Sequence, residues 1–387
     1  LIEPGTIAII GGGPIGCALA AALYEHGVPC TVLEAREPPA ASGDGRTLAL
    51  TYGSRLILER IGAWSATDPV TPIKSIHVSQ RGGFGRALLT AEDVHLEALG
   101  YVAPFAAVHR ALLSRLDASR IDVRYGTRVS ALQRDGDSVS LNCSSGDGER
   151  EFRVRLVVIA DGGAALGEHV GARYVTHDYR QAAVVAMTKT SQPHGHCAYE
   201  RFTPHGPAAL LPAGDEFALV WSCPPDVAPT LLGDSDGQFL ERLQQHFGDR
   251  AGRFLAVRNR AAFPLTLRFA RQTVHPRAVL IGNSAQMLHP IAGQGFNLGL
   301  RDTWALADLL GRARASDPGA ADLLGRYERA RRADRLAGIA ATDLLTRLFS
   351  NSFPLIEQAR GLGIAALDLA SPAKRFLMRR MIFGSLA

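Results

Sequence analysis

The sequence predicts an α/β protein. A Rossmann-like, dinucleotide-binding domain is interrupted by a β-rich substrate domain and followed by a helical C-terminal segment. Three observations carry this. Residues 6–10 form a short apolar run that opens directly into Gly11-Gly12-Gly13-Pro14-Ile15-Gly16. A second glycine-rich segment lies far downstream, from Gly282-Asn283 through Asn297. Between them, residues 181–223 carry β-type patterning with Pro and Gly punctuation, whereas the chain beyond residue 295 is mostly helical in pattern.

Taken in order, residues 6–10 read as a buried parallel strand and residues 14–26 as an Ala/Leu-rich helix closed by Gly27. Residues 29–33 read as the second strand, ending at Glu34, so the start is one βαβ unit. A Pro/Ala/Ser/Gly loop spans residues 37–45, and residues 47–61 predict a helix closed by Gly62. Residues 73–80 and 86–89 predict strands around Gly82-Gly83, and residues 107–116 an amphipathic helix. Short strands are expected at 123–125, 128–134, 138–143 and 150–154, and an apolar one at 156–160 before Asp161-Gly162. A helix at 236–247 and a short buried strand at 278–281 complete the pattern. The return of a nucleotide-type strand so late makes that domain discontinuous. The expected division is residues 1–72, 98–178 and 268–345 for the nucleotide domain, 73–97 and 179–267 for the sheet domain, and 346–387 for the C-terminal helices.

The bulk numbers fit that architecture and exclude others. A chain of 387 residues, 47% hydrophobic and 20% charged, describes a globular protein with room for two domains. The net charge of +5 is mild, and no long Lys/Arg block breaks the body of the chain, which argues against nucleic-acid binding. Five cysteines without a CxxC pair favour reduced thiols in a cytoplasmic protein over a disulfide framework or a cysteine metal site. The chain as given opens at Leu1 and enters a strand at once, so no secretory leader is expected. No apolar run is long enough for a membrane-spanning helix. Residues 374–383 mix four basic with apolar side chains at near-helical spacing. Such a helix suits either an anionic membrane surface or a docking face on its own domain.

The first glycine cluster has a mechanical reading. Gly11 permits the tight turn, Gly13 lets the backbone approach a pyrophosphate, and Gly16 lets helix pack on strand. The helix N-terminus offers N–H groups and partial positive charge to phosphate. Glu34 accepts from ribose hydroxyls and disfavours a 2′-phosphate, so FAD or NAD is expected over NADP at this site. No second such motif follows a strand. One dinucleotide is therefore held tightly, and any nicotinamide visits transiently. Downstream, Gly293-Gln294-Gly295 precede a long helix. Glycines there allow close approach to a flat ring, and backbone N–H groups at a helix start stabilise negative charge. An ordinary helix entry has the same appearance. His289 stands before Pro290; a lone histidine suits either proton transfer or a structural place.

The chain resembles the FAD-dependent aromatic hydroxylases, and within them the ubiquinone-biosynthesis flavin hydroxylases. The resemblance covers nearly the whole chain. It rests on Arg46 in Asp44-Gly45-Arg46-Thr47-Leu48-Ala49-Leu50, Arg110 in Val108-His109-Arg110, Asp161-Gly162, Glu200-Arg201-Phe202-Thr203-Pro204-His205-Gly206-Pro207 and the segment from Gly282 to Asp302. It implies an FAD-binding domain that uses NAD(P)H and O2 to hydroxylate a polyprenylated methoxyphenol through a flavin C4a-hydroperoxide. Implied cofactor residues are Gly11, Gly13, Gly16, Glu34, Arg46, Arg110, Asp161, Gly282, Asn283, Gly293, Gly295, Phe296 and Asn297. His289, Pro290, Gly293, Gln294 and Gly295 would surround the reacting centre. Asn283 stands where the wider family usually places Asp; the ubiquinone branch commonly carries Asn there. After Asp161-Gly162 the family's usual Ser and Arg give way to Gly163-Ala164-Ala165-Leu166. Tyr199, Phe202, Leu211 and Trp221, with Leu210 and Val220, are the candidates for the aromatic pocket, with core packing as the alternative for about half of them. A tail-bearing substrate also implies contact with other ubiquinone-biosynthesis proteins and a peripheral membrane contact through the C-terminal tail. Rival readings are a hydroxylase of another ring position or another aromatic, and a non-oxygenating flavin dehydrogenase.

Overall fold

A computed structural model describes residues 7–38, 45–81, 85–146, 148–203, 206–290, 293–349 and 354–384. The expected Gly82-Gly83 turn, Pro204-His205 and most of the 37–45 loop lie outside the described residues.

Two sheets organise the chain. The first has six strands in the order Val274–His275, Ala278–Leu280, Leu156–Ile159, Ile7–Ile10, Cys30–Leu33, Asp122–Arg124. Every pairing is parallel except that of the first two. Alternate residues of its central strands serve opposite faces. Ile7, Ile9, Leu156 and Val158 pack with the helix Pro14–Glu25 and its neighbours. Ala8, Ile10, Val157 and Ile159 pack with Val139, Leu141 and Phe152 from a three-stranded antiparallel sheet on the other side. Burial on both faces explains the unbroken apolar reading IAII and LVVI.

The second sheet has eight strands in the order Gln286–Met287, Phe254–Ala270, Tyr174–Thr190, Glu216–Cys223, Gly206–Ala213, Cys197–Thr203, Ser75–Gln80, Arg86–Thr90. Only the pairing of Cys197–Thr203 with Ser75–Gln80 is parallel. One face carries Leu210, Leu219 and Trp221 against Phe239, Leu243 and Phe247 of the helix Asp236–Phe247. That helix begins with a complete capping box between Ser235 and Gln238. The opposite face borders a cavity.

One sequence expectation needs correction, and one strand carries no clear sequence signal. Residues 47–61 are not one helix. Thr47–Thr51 is a strand paired antiparallel with Gly100–Pro104, and the helix Tyr52–Arg60 starts only where the Thr51 hydroxyl accepts the Ser54 N–H. The partner strand lies some fifty residues away, so local pattern could not reveal it. The long strand Phe254–Ala270 is not signalled by its sequence. Arg and Asn interrupt its alternation, Pro264 sits inside it, and its pairing with Tyr174–Thr190 shifts register three times.

Among the described residues four helices follow, Gln294–Arg312, Ala321–Phe349, Pro354–Leu369 and Ser371–Phe383. A buried ionic cluster ties the first two together. Arg331 reaches Asp302 at 2.8 Å and Asp334 at 2.7 Å, and Arg301 reaches Asp334 at 2.9 Å. Gln286 donates to the second oxygen of Asp302 at 2.7 Å. The last helix docks: Met378 and Ile382 are buried among Leu89, Val94 and Leu99, and Lys374 pairs with Asp93 at 3.0 Å. Its outer side leaves Phe376 68% exposed. Among the described residues no helix is long and apolar enough to cross a membrane.

Candidate functional site

The first glycine turn is built by close approach. Gly11 has φ +108°, and a side chain there would lie 2.6 Å from the Ala160 carbonyl oxygen. A Cβ at Gly16 would collide with the Gly11 carbonyl. At Gly13 the corresponding space is empty. The turn is thus closed on the protein side and open where a phosphate would approach, at the start of the helix Pro14–Glu25. Glu34 is buried and accepts the Gly12 N–H at 2.6 Å through one oxygen and the Arg36 N–H at 2.9 Å through the other. Each carboxylate oxygen keeps a lone pair for a ribose hydroxyl. His109, on the helix Phe105–Ala118, contacts the Gly12 carbonyl at 2.8 Å. The next residue, Arg110, is exposed and makes no ion pair among the described residues. The Arg46 guanidinium lies over the Phe105 ring at 4.5 Å.

A second clasp joins segments far apart in sequence. Asp161 accepts the Ser284 hydroxyl at 2.7 Å and the Gly163 N–H at 3.0 Å. Ser284 in turn accepts the Gly162 N–H at 2.8 Å. Arg268 donates to the carbonyls of Gly162 and Asn283 at 3.0 and 3.3 Å. Gly282 has φ +59° and packs on Ile15, which leaves the Asn283 side chain exposed beside the clasp. Sequence reasoning named Asp161, Gly282 and Asn283 but missed Ser284 and Arg268. Ser284 follows the flagged Gly-Asn pair; Arg268 carried no signal, being one arginine of an unrecognised strand.

The third part is the loop into the helix Gln294–Arg312. Gly293 has φ +60°, and a Cβ there would meet Ala49 at 2.9 Å, whereas the space at Gly295 is open. Ile291 and Ala292 lie outside the described residues. Asn297 is fully buried. Its oxygen accepts from the Thr51 N–H at 2.8 Å and the Ser54 hydroxyl at 2.7 Å; its nitrogen donates to the carbonyls of Ala49 at 2.8 Å and Gly293 at 2.6 Å. With both donors and both lone pairs engaged, the Asn297 side chain braces the loop and has no polar atom left for a ligand. That differs from its expected place among the cofactor contacts. His289 is buried edge-on to the Tyr179 ring at 5.4 Å, and burial pushes its pKa down to about 4. It is neutral at pH 7, which suits a structural place better than proton donation. Pro290 is exposed beside it.

The third part borders a cavity of about 800 Å³. Its walls are the strand Thr47–Thr51, one face of the eight-stranded sheet, His289, Pro290, Gly293, Gln294, Gly295 and Phe296 of the loop, and the C-terminal helices through Leu345, Ile364 and Met378. Of the six candidate pocket residues, Phe202, Leu211 and Val220 line it. Trp221 and Leu210 do not. They point to the opposite face, where Trp221 packs on Phe239 and His246. Tyr199 borders the cavity, yet its ring packs with Phe217 and Phe247 on the far side. The phase of the strand decided these assignments, and sequence alone did not fix it.

The family described as the FAD binding domain matches residues 5–339. Ubiquinone hydroxylase UbiL of Rhodospirillum rubrum is 38% identical over 382 residues, spanning 96% of this chain and 88% of the relative. The 3-demethoxyubiquinol 3-hydroxylase of Escherichia coli is 32% identical over 384 residues, spanning 96% and 97%. Among solved structures, p-nitrophenol 4-monooxygenase from Pseudomonas putida shares the fold with a TM-score of 0.79 at 18% identity, covering 99% of this chain and 100% of that one.

Proposed function

The chain belongs to the FAD-dependent aromatic monooxygenases, among the ubiquinone-biosynthesis hydroxylases, and from that membership we propose that it hydroxylates the ring of a polyprenylated methoxyphenol. FAD is the cofactor, with NAD(P)H and O2 as co-substrates. The carrying observation is the apolar cavity, which opens against the glycine loop at residues 293–295 and is large enough for an aromatic ring with part of an apolar tail.

The residues present fit FAD. Gly11, Gly13, Gly16 and Glu34 would hold the adenosine and pyrophosphate, since the Gly13 face is open and Glu34 keeps acceptor capacity. Arg46 and Arg110 add positive charge, and Asp161 in its clasp, with Gly282 and Asn283 beside it, would meet the ribityl chain. Gly293, Gly295 and Phe296 would border the flavin ring. When bound, FAD supplies electron transfer from NAD(P)H and activation of O2. The protein supplies position and dryness. Leu211, Val220, Phe202 and Ile364 exclude water from the reacting face. The uncharged His289 holds its loop without bringing a charge into that space. We divide the chain into a cofactor part at residues 1–72, 98–178 and 268–345, a substrate part at 73–97 and 179–267, and a closing part at 346–387.

The apolar tail of such a substrate sets the second half of the reading. Leu344, Leu362, Leu369, Phe376 and Leu377 are exposed on the C-terminal helices, and Leu377 also lines the cavity. Arg375 and Arg379 are exposed on the same last helix. Apolar and cationic groups together suit an anionic bilayer surface, from which a lipid could enter, and other proteins of ubiquinone biosynthesis could meet the same side.

Mass spectrometry of quinone-pathway lipids in cells lacking this chain tests the substrate. Accumulation of 2-polyprenyl-6-methoxyphenol with loss of ubiquinone is the expected result. Accumulation of a later, demethoxy intermediate would move the reaction to another ring position, the reading favoured by the name of the Escherichia coli relative. An unchanged quinone pool would send the search to other aromatics. Flotation with anionic vesicles tests the membrane contact, which is lost if Phe376→Ser with Leu377→Ser floats as the parent chain does.

A further inference from the structure

Glu200 stands in the middle of the strand Cys197–Thr203. The register sets Val78 on one side of it and Ala209 on the other, with Val220 beyond Ala209. Directly paired residues present their side chains to the same face. Val78, Ala209 and Val220 all line the cavity, as do Ala198 and Phe202, two positions either side along the strand. The carboxyl of Glu200 is therefore one acidic group set in an apolar wall, open to the cavity and ringed by protein. It makes no hydrogen bond or ion pair with any described residue. A carboxylate so placed is costly to the fold. Burial alone pushes its pKa up to about 7. Among the described residues, the other titratable groups of the cavity wall are Tyr199 and His289, and no Lys or Arg lines it. The Tyr199 ring is turned to the far face and His289 is uncharged.

We propose that Glu200 is the catalytic base of the hydroxylation, its carboxylate accepting the phenolic O–H of the substrate and taking that proton as the ring reacts. The phenol O–H bond breaks and a carboxyl O–H bond forms. The electron pair stays on the phenol oxygen and flows into the ring, which makes the ring carbon a better nucleophile. When the hydroxylated carbon gives up its own hydrogen as a proton, to the second oxygen atom of O2 that leaves as water, the former phenol oxygen recovers one from Glu200. The group is thereby returned to its ionised state. A base whose affinity for protons lies near the working pH is the efficient kind.

The inference rests on the phenol reading above, and the test separates the two. The FAD-loaded chain and its Glu200→Gln and Glu200→Met variants are titrated with 6-geranyl-2-methoxyphenol and with its O-methyl ether, which lacks the O–H. The parent is expected to prefer the phenol about tenfold or more, as a buried acceptor does. Glu200→Met should lose that preference. Glu200→Gln, which still accepts a hydrogen bond but no proton, should bind the phenol within a few-fold. It should turn over about 10²- to 10⁴-fold more slowly and lose the limb near pH 7 in kcat/KM. Flavin content and thermal melts report whether each variant is folded. If Glu200→Met keeps the preference, or Glu200→Gln keeps rate and limb, Glu200 is not the base while the phenol reading stands. If the parent ignores both compounds, the phenol reading falls and the inference with it.

Discussion

The side-chain oxygen of Asn297 accepts the backbone N–H of Thr51 at 2.8 Å, joining two segments 246 residues apart. The same amide holds Ser54, Ala49 and Gly293, so one side chain fixes the strand, the helix cap and the glycine loop together. Asn297→Ala should cost about 2–3 kcal/mol, because buried groups lose their partners without gaining water. Urea unfolding measures this, and a loss within error of zero would mean that water replaces the amide.

Gly13 and Gly16 should behave differently despite sharing a motif. Gly16→Ala forces a methyl into the Gly11 carbonyl and should lower the stability of the FAD-free protein as well as FAD retention. Gly13→Ala meets nothing in the protein and should leave the FAD-free melting temperature within a degree or two while weakening FAD binding. Melts with and without FAD, together with flavin fluorescence on dilution, distinguish them. Equal behaviour of the two variants would argue against phosphate at Gly13.

The ionic cluster should punish half-removal. Asp302→Ala leaves Arg331 buried with one partner fewer and strands the Gln286 amide, at about 3–5 kcal/mol. Denaturant midpoints give the value. A cost below 1 kcal/mol would show that solvent reaches Arg331.

Buried His289 and half-buried Glu200 pull the pH dependence of stability in opposite directions. His289 has a folded pKa of about 4 against 6.5 unfolded, so the unfolded chain binds more protons between those values. Its effect is a loss of stability as pH falls from 6.5 to 4. Glu200 has a folded pKa of about 7 against 4.5, so the folded chain binds more protons there, and stability falls as pH rises from 4.5 to 7. Glu200→Gln should therefore be more stable than the parent at pH 8, by about 1–3 kcal/mol, and no more stable at pH 4.5. A gain of equal size at both pH values would point to packing rather than ionisation.

The nucleotide half of the fold was legible because its signals are local. An apolar strand, a glycine turn, a helix and Glu34 stand within one short stretch. The glycine loop before Gln294–Arg312 was legible in the same way. The sheet half was read in outline only. The side of Gly206–Ala213 and Glu216–Cys223 that faces the cavity depends on register with distant strands, so Leu211 and Val220 were placed and Trp221 was misplaced. Glu200 was quoted as part of a motif, but nothing in a sequence says that its strand neighbours on that face are Val78 and Ala209.

The central strand Ile7–Ile10 pairs with Leu156–Ile159, which pairs in turn with Ala278–Leu280. On the ribosome, the first of these waits for the second, and the second keeps a bare edge until about residue 280 has emerged. Three-quarters of the chain must be synthesised before the sheet closes and the loop that completes the flavin pocket exists. Cofactor capture is therefore a late event in the life of each molecule. Chains that stop short of Ala278 expose an unpaired hydrophobic strand, ready for aggregation or for proteolysis.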